Sequence, residues 1–169
     1  MKIKFRVLAG ILLMLSLFSI NCSDEGKSDG TKKRVHEPGK LTTGWYHISD
    51  GITPIKRKLV KSKFSFYIDS VPIITADNFM KVEINELPNA GADKYYGLKI
   101  TLDMDGKDRW GDATGRWTGK RMAMIVDDSL IDIPLINNEN DSGVTVVNGL
   151  NQTKEEAENI KKILESEER

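Results

Sequence analysis

The chain has 169 residues, with 25 Lys and Arg balanced by 25 Asp and Glu, so its formal charge is zero. That length suits one domain with an appendage, and the neutral balance speaks against a nucleic-acid binder, which needs a basic excess or patch. One cysteine excludes an intramolecular disulfide framework and any multi-cysteine zinc site, and two histidines exclude a three-histidine metal site. The pattern points to no cofactor and no metal.

The first 21 residues differ from the rest. Lys2, Lys4 and Arg6 precede a nearly unbroken apolar run from Val7 to Ile20, and the only cysteine, Cys22, follows directly. A basic start and an apolar run of this length are the marks of a secretory signal, too short for an ordinary membrane span. With the cysteine at its end, residues 1–21 resemble a bacterial lipoprotein signal. That resemblance implies lipidation of Cys22, whose thiol is the nucleophile that accepts the diacylglycerol, and hence a bilayer as partner. Ser19 and Asn21 stand where the usual signal carries Leu and a small residue. A plain cleaved signal and an uncleaved anchor therefore remain open. Cleavage before Cys22 removes three positive charges and leaves 22 cations against 25 anions.

Residues 22–40 read as the modified cysteine and a flexible tether. Between Ser23 and Lys40 the single large apolar side chain is Val35, too little to offset the entropy of ordering. A coil of this length averages roughly 25 Å end to end. The basic run Lys32-Lys33-Arg34 and His36 read as solvated parts of it.

Residues 41–169 read as the folded domain. Alternation around Trp45, His47 and Ser49 predicts a first strand before an Asp50-Gly51 turn. Phe64, Phe66 and Ile68 alternate in a second, which Pro72 is expected to end, and Thr75 is placed to cap a single helical turn. Val82 and Ile84 predict a short strand before a loop at Pro88–Gly91. The alternation of Tyr96, Leu98, Ile100 and Leu102 is the clearest strand in the chain.

From Asp105 the period becomes helical, with Trp110, Ala113, Thr114 and Trp117 on one stripe of a helix ending near Gly119. Gly111 and Gly115 each cost such a helix about 1 kcal/mol relative to Ala, so tertiary packing has to hold it. Met122–Val126 and Leu130–Ile136, separated by Asp127-Asp128-Ser129, predict a hairpin whose second strand is edged or bulged at Pro134. Val144–Val147 predict one more strand. Thr153 and Glu156 form a capping box for a last helix with Ala157, Ile160, Ile163 and Leu164 on its apolar face. Together these elements predict an α+β fold, a mostly antiparallel sheet packed against two helices.

No catalytic constellation emerges. The acidic cluster Asp103, Asp105 and Asp108 has the wrong glycine position for an EF-hand and fits a helix entry favoured by the dipole. Asp127 and Asp128 fit a turn, and His47 has no nucleophile beside it in the sequence. Trp110, Trp117, Phe64 and Phe66 are the candidate partner-contacting side chains, because aromatic rings give broad contact area to a peptide. The helical spacing of the two tryptophans also suits the core.

The order of these pieces resembles a known family. The positions Gly106, Trp110, Thr114, Gly119, Lys120, Arg121, Asp127, Pro134, Gly143, Gly149, Thr153, Ala157 and Leu164, with the lead-in YIDSVPIITADNF from Tyr67 to Phe79, are similar to the head of the first periplasmic domain of SecD, the translocase accessory subunit. That resemblance implies a non-catalytic domain that binds polypeptide, with an exported chain or a Sec component as partner, and a place in the bacterial cell envelope. A surface-exposed lipoprotein reusing the fold for a host or envelope ligand is the alternative. If the leader reading holds, intact mass spectrometry of the membrane fraction will find Cys22 diacylated, and Cys22→Ser will leave the chain unprocessed at residue 21.

Overall fold

The structure, a computed structural model, describes residues 39–49, 54–87, 94–149 and 152–167, all within one compact unit, Val35–Arg169. The leader, Cys22, most of the tether, the Asp50-Gly51 turn and the Pro88–Gly91 loop lie outside the described residues.

In chain order the elements are β1 (Gly44–Ile48), β2 (Ile55–Lys58), β3 (Ser65–Thr75), a 3-10 turn (Ala76–Asn78), β4 (Phe79–Leu87), β5 (Tyr95–Leu102), α1 (Met104–Arg116), β6 (Met122–Val126), β7 (Ser129–Asp132), β8 (Val144–Val147) and α2 (Lys154–Glu167). The fold is α+β, as the sequence predicts, but its strands form two antiparallel sheets. One has the order β2-β3-β1-β6-β7 and the other β4-β5-β8. The five-stranded sheet curls until its outer strands meet: Leu59 bridges Leu130, and Val60 N–H donates to Leu130 O at 2.9 Å.

The pairing of β1 with β6 divides two cores. Trp45, Met122, Met124 and Val126 face a large core shared with both helices and the second sheet. Tyr46, Ala123 and Ile125 face a smaller one with Leu41, Leu59, Ile68 and Leu130. The unbroken apolar run of β6 follows from this, since every one of its residues is buried against one core or the other.

Several local expectations are refined. Pro72 does not end β3, which continues to Thr75 with Pro72 opposite Tyr46 in an irregular register. The strand tolerates it because β2 pairs only with Ser65–Ile68, so beyond Ile68 one side of β3 has no ladder to supply. The Asp127-Asp128 turn has φ of 43° and 64°, the left-handed pair that suits a two-residue hairpin between Val126 and Ser129. Asp128 Oδ1 accepts from Leu41 N–H at 2.8 Å and pairs with Arg57. Asp127 instead takes its N–H to Thr43 Oγ1, and its side chain reaches Lys40 at 3.6 Å. The two aspartates thus tie the start of the domain to the hairpin.

Both helices start as their sequences specify. Asp103 caps α1 by accepting from Gly106 N–H at 2.6 Å. Thr153 and Glu156 exchange the two capping-box bonds at the head of α2, at 2.8 and 3.3 Å. Ala157 and Leu164 of α2 are buried, while Ile163 keeps about a third of its surface in solvent.

Gly44 shows how closely β1 is packed. A Cβ there would stand 2.2 Å from Ile74 O, a backbone atom with no freedom to move aside. Gly44→Ala is therefore expected to cost about 1–3 kcal/mol of overpacking strain, read as a lower urea midpoint at unchanged m-value.

Candidate functional site

The aromatic residues singled out by sequence fall in three environments and do not form one site. Trp110 is 3% exposed and belongs to the large core, its ring 5.0 Å from that of Trp45. Packing against Trp45 takes up its ring faces, so a partner contact by Trp110 has to come through the indole edge. Trp117 caps α1 and stacks on His47 at 3.9 Å, with Lys120 Nζ 4.5 Å from its ring centre. Phe64 stands before β3 and is 60% exposed, whereas Phe66 packs half-buried against the smaller core.

The structure assembles a different feature around Trp110. A groove of about 380 Å³ runs between β8, the side of α1 and the segment Pro134–Asn140, with Trp45, Trp110, Thr114 and Val146 in its lining. Its outer wall is anchored at several points. Gly119 N–H donates to Ile136 O at 2.7 Å, and Ile136 N–H donates to Lys120 O at 2.8 Å. Asn140 N–H donates to Thr114 Oγ1 at 2.8 Å, and Asn140 Nδ2 donates to Val144 O at 2.9 Å. Thr114 Oγ1 donates in turn to Trp110 O at 2.8 Å. The wall is tied to the helix and to the strand before any ligand arrives.

Hydrogen-bond accounting leaves this groove incomplete. The indole nitrogens of Trp45 and Trp110 are buried and neither has an acceptor. A donor buried unpaired costs about 1–3 kcal/mol, and the two residues that carry these donors both border the groove. A second cleft, of about 290 Å³, lies between α2 and the β6–β7 turn, lined by Val60, Ile131, Ile160 and Ile163 with the Lys61–Glu156 ion pair at 2.6 Å. Gln152 lines it, and its buried Oε1 lacks a donor.

Titratable chemistry is sparse. Burial holds the His47 ring below the usual histidine range, with Lys120 adding to the shift and Asp69 opposing it. Burial raises the Asp132 carboxyl, offset by backbone N–H groups of Asn148, Gly149 and Ile133 and by the charge of Arg121. Among the described residues no group of three His, Cys, Asp or Glu side chains is placed to hold a metal ion. Asp103 acts as a helix cap and Asp128 as an anchor, so the acidic positions of the sequence have structural work.

The family model for SecDF, P1 head subdomain, matches residues 55–167. The chain belongs to this family. Two solved structures share the fold of the SecDF P1 head. One, described as the structure and function of a membrane component SecDF that enhances protein export, superposes with a TM-score of 0.54 at 18% identity, over 76% of this chain and 64% of that one. The other, the crystal structure of SecDF in a super-membrane-facing form, gives 0.57 at 16% identity over 76% of this chain and 19% of that one. The chain thus spans less than two thirds of either relative. No match was found among curated proteins. No helix among the described residues is long and apolar enough to cross a membrane.

Within the SecDF P1 head fold, β1 and its Trp45 precede the matched residues, so half of the indole pair lies outside the family match. Sequence reading did not single out Trp45, Val146 or Gln152 as site residues. The Val144–Val147 strand was legible, but which side of it stays open depends on partners far away in the chain.

The His47–Trp117 stack yields a pH dependence. The folded protein holds the His47 proton less tightly than the unfolded chain, because burial disfavours the charged ring. Stability is full above the unfolded value of 6.5 and falls as pH drops from there, levelling below the folded pKa. His47→Gln is expected to flatten the slope of melting temperature between about pH 7 and about pH 5, against a steeper wild-type curve.

Proposed function

We propose that this SecDF P1 head domain is a non-catalytic polypeptide-binding module of the bacterial cell envelope, carried on a lipid at Cys22 and acting in protein export. The observation that carries the reading is the groove beside β8, whose walls are apolar and amide-bearing and whose floor offers buried donors in place of a catalytic cluster. Unfolded polypeptide is a ligand of that chemistry. Every residue of it brings a carbonyl acceptor, whatever its side chain. Membership of a family whose solved relative is described as enhancing protein export supports the same reading.

A lipid on Cys22 would hold the module at a bilayer. Exposed Phe64 and partly buried Trp117 remain proposed contacts at the periphery, with Phe66, packed on the smaller core, as a third.

Photo-crosslinking in native envelopes tests this. With probes at Phe64, Phe66, Trp117 and Val146 of the full chain, adducts with many newly exported polypeptides are expected. A single discrete adduct would overturn the general polypeptide reading in favour of one dedicated host or envelope ligand.

A further inference from the structure

The open side of β8 carries an inference about how polypeptide is held. β8 pairs with β5 alone, with Leu98 opposite Val147 and Thr101 opposite Val144 in an unbroken antiparallel register. Leu102 N–H donates to Gly143 O at 2.8 Å, which sets the phase of the ladder. By alternation, Thr145 and Val147 turn their N–H and C=O groups toward β5, while Val144, Val146 and Asn148 turn theirs outward.

Two of those three outward positions are already occupied by side chains. Val144 N–H donates to Ser142 Oγ at 3.2 Å, and Val144 O accepts from Asn140 Nδ2 at 2.9 Å. Asn148 N–H donates to Asp132 Oδ2 at 2.8 Å. Val146, between them, has no outward partner among the described residues and is 38% exposed. It lines the same groove as the indoles of Trp45 and Trp110.

Other strand edges are blunted. β2 and β7 meet each other through Leu59 and Leu130. β4 carries the Lys81–Glu83 ion pair at 2.7 Å, and its Val82 O accepts from Lys161 Nζ at 2.6 Å. β3 beyond Ile68 carries Asp69 and Pro72, residues that discourage pairing.

We propose that an extended polypeptide segment adds to the edge of β8, exchanging two backbone hydrogen bonds with Val146 and giving carbonyl oxygens to the Nε1–H groups of Trp45 and Trp110. This rests on the polypeptide-binding reading above and names its site and mode. The capped neighbours limit the added strand to a short stretch centred on Val146. Recognition is by backbone and therefore tolerant of sequence, which suits a ligand met as many different chains. The groove wall contributes Glu139 and the amides of Asn137 and Asn138 but no cation, so neutral and basic segments are preferred to acidic ones.

The test uses the full chain, labelled with nitrogen-15 in detergent, and a fluorescent, capped ten-residue peptide of Thr, Val and Lys. Its fully N-methylated twin keeps every carbonyl but has no backbone donor. On binding, the two indole N–H resonances should move downfield and the Val146 amide should gain at least about tenfold protection from exchange. The N-methylated twin should bind at least about tenfold more weakly, since it cannot pair with Val146 O. Trp110→Phe should also weaken binding, but it opens core space, and the peptide pair gives a readout independent of that damage. Peptide binding by anisotropy with both indoles and Val146 unmoved would overturn this site while leaving the polypeptide-binding reading intact. No binding of either peptide would overturn both. Val146 protection that grows with protein concentration, without peptide, would instead identify a second copy of the chain as the occupant and overturn the proposal.

Discussion

The antiparallel pair of β1 and β6 is buried on both faces, and the rest of the domain is arranged to satisfy it. Residues of each strand alternate between two cores, so Trp45 and Tyr46, adjacent in sequence, lie in different ones. A strand with no polar face cannot remain at a surface, and each side must be covered by further elements. On one side the curled sheet covers itself, by closing β2 onto β7. On the other, α1, α2 and the second sheet close over Met122, Met124 and Val126. The Asp128 anchor to Leu41 and Arg57 holds the beginning of the domain where this closure needs it.

Covering the pair in this way has a consequence at its periphery. Trp45 and Trp110 meet in the large core with their indole nitrogens unpaired, and both residues also border the groove beside β8. A core built for stability alone would place apolar rings there, because a phenyl group carries no donor to satisfy. Such departures concentrate where a molecule meets a ligand. The wall that shapes the groove is tied through Thr114, Asn140 and Lys120 to α1 and β8, so the opening is largely formed in advance and little ordering cost remains for an incoming segment.

Membership of the SecDF P1 head family accounts for the fold. It does not account for β1, which precedes the matched residues yet supplies the central strand of the five-stranded sheet and one of the two indoles. The domain therefore combines a recognisable family segment with a strand that completes its core, and the groove depends on both.

Much of this was legible in the chain. The alternation of β5, the apolar stripe of α1, the Thr153–Glu156 box and the order of motifs resembling the SecD head are local patterns, set by residues within a few positions of one another. They determined the α+β class, the family and most of the element types, though not β2 (Ile55–Lys58). Tertiary structure decided what depends on residues far apart. It carried β3 through Pro72 because the neighbouring strand stops at Ile68. It split the strands into two sheets and drew Trp110 into the core against a partner 65 positions away. It also left Val146 as the open position of β8, because side chains from Asn140, Ser142 and Asp132 take the places on either side. A strand's sequence specifies which face is apolar, but the satisfaction of its backbone edge is settled only by what the folded chain brings beside it.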